Sequence, residues 1–136
     1  MKEVLFRGKT IDTNEWIQGS LVRALGYLDE DEKFFIIPED ALYYNHGEFG
    51  VTKEVRSETV GQYTGLTDKN GKKIFEGDIV KFSHPAFEKS RIGMISYEMN
   101  ETGFVLRHKG DYSWIAYANE FYEVIGNIHD NKELLK

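Results

Sequence analysis

Cysteine is absent from this chain of 136 residues. That excludes a disulfide-stapled scaffold, a thiol nucleophile, an iron–sulfur cluster and every zinc site built on thiolates. Long apolar runs are missing as well. No stretch approaches the roughly 18 apolar residues of a membrane-spanning helix. The opening Met1-Lys2-Glu3-Val4-Leu5-Phe6-Arg7 holds no apolar segment of signal-peptide length. These absences predict a cytoplasmic protein without a membrane partner. A basic region is lacking too. Residues 1–75 carry 10 Lys/Arg against 13 Asp/Glu, and residues 76–136 carry 7 against 10, so each portion stands at −3 of the total −6. A duplex-DNA binder driven by phosphate neutralisation usually has a basic domain, and that class loses ground here.

What is present is aromatic and strand-forming. Hydrophobic residues make up 40% of the chain and aromatics 14%, enough to bury a core and too apolar for a disordered tail. Thirteen glycines cut the chain into short pieces, and short runs at regular spacing argue for sheets rather than helices. Strands are predicted at 4–7, 15–22 with a continuation at 25–28, 33–37, and 53–64 centred on 59–64. Asp68-Lys69-Asn70-Gly71 is predicted as a tight hairpin turn, because Asn-Gly tolerates positive φ at both central positions, with 72–75 returning. Five more strands follow, at 79–82, 91–97, 103–107, 114–117 and 122–128. One or two helical turns or an irregular loop are predicted at 38–44, a single helical turn at 119–121, and a final turn, capped by Asp130 with Glu133, that reaches Leu134 and Leu135.

The fold class is therefore all-β. It divides into an N-terminal all-β subdomain, 1–75, of complex form and a C-terminal subdomain, 76–136, that resembles a small barrel of the Src-homology type.

One segment is more specific than this pattern. Thr59-Val60-Gly61-Gln62-Tyr63-Thr64-Gly65-Leu66-Thr67-Asp68-Lys69-Asn70-Gly71-Lys72-Lys73-Ile74-Phe75-Glu76-Gly77-Asp78-Ile79-Val80 resembles the signature of the YopX family of phage and prophage proteins. Phe6-Arg7-Gly8-Lys9 with Glu15-Trp16-Ile17-Gln18-Gly19-Ser20-Leu21 is similar to that family's opening. Residues 122–135, beginning Tyr122-Glu123-Val124-Ile125-Gly126-Asn127, are similar to its close. Only 26–55 and 83–91 lack a counterpart. The resemblance implies a phage or prophage of a Gram-positive host, an all-β fold with a barrel-like C-terminal portion, and no catalytic residue to carry over.

Gly61, Gly65 and Gly71 match neither a phosphate loop nor a dinucleotide fingerprint. Counted back from Gly71, a calcium loop would put Leu66 at its first ligand and Gly77 at its twelfth, which defeats it. The acidic run Asp29-Glu30-Asp31-Glu32 reads as a solvated turn. Asp68, Glu76 and Asp78 are candidates for acid–base work or a metal clamp, but acids before a strand commonly accept backbone N–H bonds instead. His46, His84, His108 and His129 show no metal-ligand spacing and read as surface residues. No catalytic residue, cofactor or metal ligand is assigned, and an enzyme is not expected.

Binding remains. Lys81, Lys89, Arg91, Arg107 and Lys109 interleave with Phe82, Phe87, Tyr97, Phe104, Tyr112 and Trp114. Such interleaving suits a single-stranded nucleic acid on a small barrel, and it is also what alternating strands produce with aromatics inside and charges outside. Glu88, Glu98, Glu101 and Asp111 dilute any positive field. Trp16 and Trp114 are the strongest single anchors, as half-buried core or as interface hot spots. The expected function is a phage accessory protein acting as a non-enzymatic protein-interaction module, with an unknown protein partner or a second copy of itself. The alternative is single-stranded nucleic-acid binding through the C-terminal barrel. The candidate contacts are Trp16, Lys81, Arg91, Arg107, Lys109 and Trp114.

Overall fold

Short aromatic and β-branched runs do fold as strands. The computed structural model describes residues 2–26, 32–39 and 52–136, and among them are eleven β-strands and one short α-helix. Two units are distinguished, Met1–Gln62 and Tyr63–Lys136.

In the first unit, β1 (Phe6–Lys9), β2 (Trp16–Ala24), β3 (Lys33–Pro38), β4 (Lys53–Val55) and the start of β5 (Gly61–Thr67) form an antiparallel sheet in the order β4-β3-β2-β1-β5. Its two ends meet. Thr10 bridges Val55, the Ile11 N–H donates to the Glu54 carbonyl at 3.0 Å, and the Arg56 N–H donates to the Lys9 carbonyl at 2.8 Å. The four strands β1–β4 therefore curl back on themselves, as a sheet does when it satisfies its own edges. Gly8 permits this: a Cβ there would lie 3.0 Å from the Val55 Cβ. Leu5, Ile36 and Val55 are the buried apolar residues of this unit.

The single strand predicted over 53–64 is broken. Thr59 accepts the Lys9 N–H at 2.8 Å through its hydroxyl, which in turn donates to the Arg56 carbonyl at 2.7 Å. That local bonding holds a 3-10 turn, Ser57–Thr59, between β4 and β5. The acids Asp29, Glu30 and Asp31, the helical turn read at 38–44 from residue 40 onward, the loop at 45–51 and His46 lie outside the described residues. Glu32 and Glu39 are described, accepting from Arg23 Nε at 2.6 Å and from Gln18 Nε2 at 2.8 Å.

In the second unit, the rest of β5 pairs with β6 (Lys73–Phe75). Then β7 (Asp78–Phe82), β8 (Arg91–Glu98), β9 (Gly103–His108) and β10 (Asp111–Trp114) run as an antiparallel meander. A four-residue helix, α1 (Ala118–Phe121), leads into β11 (Tyr122–Asn127), which returns to pair with β7. The sheet order is β10-β9-β8-β7-β11. The core is Ile74, Val80, Ile95, Leu106, Ala118 and Tyr122, with Phe82, Ile115, Phe121 and Val124 packed against it.

The five strands expected after residue 78 are present, in the connectivity of a Src-homology barrel. The barrel is not closed, however. Among the described residues β10 and β11 make no pairing with each other and remain the two edges of the sheet. The strand expected at 114–117 is the reason. It ends at Trp114, and Tyr117 takes the left-handed conformation, φ 54 and ψ 37, which no strand can contain. Residues 63–75 group with the second unit. Ile74 sits in its core, and the Tyr63 and Phe75 rings lie 5.6 Å apart.

The final turn, Lys132–Leu135, has no side-chain cap. Asp130 accepts instead from Asn127 Nδ2 at 3.2 Å. Among the described residues no helix is long and apolar enough to cross a membrane.

Candidate binding groove

The acids singled out by sequence act as backbone acceptors. Asp68 is 2% exposed. Its Oδ1 accepts the Asn70 and Lys72 N–H groups, each at 2.9 Å, and its Oδ2 accepts the Val124 N–H at 2.9 Å. The carboxylate thus folds its own turn and ties that turn to β11. Burial alone would raise its pKa. The N–H donors of Val124, Lys72 and Asn70, with the Lys72 charge, outweigh burial and hold it below its ordinary 3.8. The turn differs from the one predicted: only Gly71 of the Asn-Gly pair has positive φ, +82, so the carboxylate rather than a mirror-image turn sets its shape. Asp78 is 1% exposed and accepts the Phe75 N–H at 2.7 Å across the turn at Gly77. Among the described residues no cluster of three or more His, Asp or Glu has the arrangement to hold a metal ion.

A concave feature of the second unit lies at the open seam. The edge strands β10 and β11, the helix α1 and the β7–β8 loop surround a groove of about 470 Å³. Its aromatic walls are Phe82, Phe87, Trp114, Tyr117, Phe121 and Tyr122. Each element contributes for a local reason. Phe82 and Tyr122 are the paired first contacts of β7 and β11, with rings 5.3 Å apart and edge to face. His84 Nδ1 accepts the Ala86 N–H at 2.9 Å, curling the loop so that its ring lies 4.5 Å from that of Phe121. The Arg91 guanidinium lies 4.7 Å from the centre of the Phe87 ring, a cation–π contact. Tyr117 and Trp114 remain 71% and 56% exposed. Burial pushes the Tyr122 hydroxyl up to about 12.

Charge is unevenly placed around these walls. Arg91 lines the groove, and among the described residues no carboxylate does. A neighbouring depression shares His84, Phe87 and Phe121 with it and adds Glu88 and Glu120.

The six candidate contacts are divided by the fold. Trp114 and Arg91 line the groove. Arg91, Arg107 and Lys109 come together in a second depression beside Ile92, Met94 and the terminal turn. Arg107 is already engaged, by Glu98 as an ion pair and by Ser96 Oγ at 2.8 Å. Lys81 alternates with Phe82 along β7 and so points to the other face of the sheet. Trp16 belongs to the first unit, where Arg7 and Lys9 stand 4.8 and 5.4 Å from its ring centre. Beside Arg107, Tyr112 donates its hydroxyl to Glu101 at 3.0 Å, a bond that raises its pKa.

Sequence reasoning missed His84, Tyr117 and Phe121 as groove residues. His84 was read as a surface group, yet it stacks within a ring cluster. The available signal was three rings within 82–87 around Pro85, a density that a solvated loop rarely has.

Comparison with known proteins agrees with the fold. No curated protein matches this chain. Among solved structures it is similar to the crystal structure of protein EF1440 from Enterococcus faecalis, at 28% identity and a TM-score of 0.60, with 100% of each chain covered. The family described as YopX protein matches residues 5–136, nearly the whole length and including the segments whose resemblance was read from sequence. The chain belongs to the YopX protein family.

Proposed function

We propose that this protein is a non-enzymatic interaction module, an accessory protein of a phage or prophage at work inside the bacterial host cell, and that it binds an extended segment of a protein partner in the seam groove. The observation that carries this reading is the groove itself. Six aromatic walls surround a space of about 470 Å³, and two of them, Trp114 and Tyr117, are left largely in solvent. A left-handed backbone at a non-glycine residue costs on the order of 1 kcal/mol. Tyr117 holds that conformation while exposed at the rim. Aromatic anchors in a preformed cleft are the usual centre of a protein interface. The buried acids support the same reading, because Asp68 and Asp78 serve backbone donors.

Affinity capture from lysogenic or infected cells with wild type and Trp114→Ala tests it. A partner recovered by wild type and lost with the variant is the expected result. A strictly monomeric protein that captures nothing would remove the reading. A single-stranded nucleic acid is the second reading, favoured by the meeting of Arg91, Arg107 and Lys109. A salt-dependent titration with labelled oligothymidylate separates the two, and binding at low salt is required for it to stand.

A further inference from the structure

Resting on that reading, we infer that the groove recognises an extended apolar peptide carrying a single carboxylate, which Arg91 receives. Both the preference and its limit follow from where charge lies. The groove offers the Arg91 guanidinium and, among the described residues, no acidic side chain, so a lone negative group among apolar neighbours meets a complementary wall. Past the shared rings of His84, Phe87 and Phe121 lie Glu88 and Glu120, which repel a second negative charge. A polyanion is thus opposed where a peptide with one acid is not. Arg107, the other arginine of this unit, is paired with Glu98 and cannot extend a phosphate track without losing that pair. Arg91 itself is exposed, at the first residue of β8, and its guanidinium sits over the Phe87 ring. A planar guanidinium held on an aromatic face keeps its N–H fork available to a carboxylate.

The ring walls select the remainder of the ligand. Extended segments of polyproline geometry need little ordering and lay flat side chains against aromatic grooves. Trp114 projects from the edge strand β10, and Tyr117 from the turn that follows, so the exposed rings come from one side of the seam and the Phe87 loop from the other.

Panning a displayed library of random dodecapeptides on the intact protein tests the inference. Wild type is expected to enrich apolar, proline-containing sequences with one Asp or Glu at a fixed place. Trp114→Ala abolishes enrichment. Arg91→Gln keeps the apolar pattern and loses the acid, and Arg91→Lys partly restores it. For one enriched peptide, replacing its acid by the amide weakens binding to wild type by roughly threefold to tenfold and leaves binding to Arg91→Gln unchanged. Trp114-dependent enrichment with no acid preference overturns the inference and leaves the interaction module standing. No enrichment at all, or binding of oligothymidylate alone, overturns both. Enrichment of acidic runs overturns the single-carboxylate limit set by Glu88 and Glu120.

Discussion

Asp68 shows how one side chain decides both local shape and long-range contact. Its two oxygens take three N–H groups, two in its own turn and one on β11. Asp68→Asn keeps the size and replaces one acceptor with a donor, setting an NH2 against an N–H. A loss of about 1–3 kcal/mol is expected at neutral pH, read as a lower Tm. The pH dependence has a definite sign. The native carboxyl titrates below 3.8, so its contribution is complete above that value and is lost as pH falls through the lowered native value. Wild type and Asp68→Asn therefore converge in stability in acid. Tyr122 makes the opposite case. Its pKa is raised to about 12 by burial. Its contribution is complete below pH 10 and is lost between 10 and about 12. Ultraviolet titration should show one tyrosine ionising after the exposed ones, and Tyr122→Phe should remove that alkaline loss. Asp78 and the glycine punctuation were legible in sequence because turn chemistry is local. The Asp68–Val124 bond was not, since its partners stand 56 residues apart.

At the scale of elements, glycine has two separate tasks. At Gly8 the need is space, with Val55 side-chain atoms 3.0–3.2 Å from where a Cβ would sit. At Gly71 the need is backbone freedom, with φ +82 and no neighbour within 4 Å. Gly8→Ala should cost about 1–3 kcal/mol through overpacking against a stiff β-branched side chain. Gly71→Ala should cost about 1–2 kcal/mol through left-handed strain. A double-mutant cycle tells them apart by thermal unfolding: Val55→Ala, which removes both Cγ atoms and keeps the Cβ, relieves part of the Gly8→Ala penalty and leaves the Gly71→Ala penalty unchanged. The strand pattern itself was readable from alternation and turns, and the errors fall where a single residue overrides propensity. Tyr117 ends a strand that composition would have continued, and the Thr59 hydroxyl breaks one that composition would have kept whole.

Over the whole molecule, the net charge of −6 conceals an asymmetry. Residues 1–62 carry 7 Lys/Arg against 12 Asp/Glu, and residues 63–136 carry 10 against 11. The unit that holds the groove is itself nearly neutral. Peptide binding through one Arg91 contact should weaken by less than about tenfold between low and physiological salt, as fluorescence anisotropy would read. A single strand held by three phosphate contacts, at Arg91, Arg107 and Lys109, would lose about twentyfold over a fourfold rise in salt.

By itself the sequence determined the class of this protein: all-β, free of thiol chemistry, punctuated by glycine and carrying the family's segments. Those properties reside in composition and in neighbours a few positions apart. Tertiary structure alone decided where the barrel stays open and which rings meet there. His84, Trp114, Tyr117 and Phe121 come from a loop, an edge strand, a turn and a helix. Their meeting depends on β11 crossing back to β7, and pairing between distant strands leaves no periodic trace in the chain.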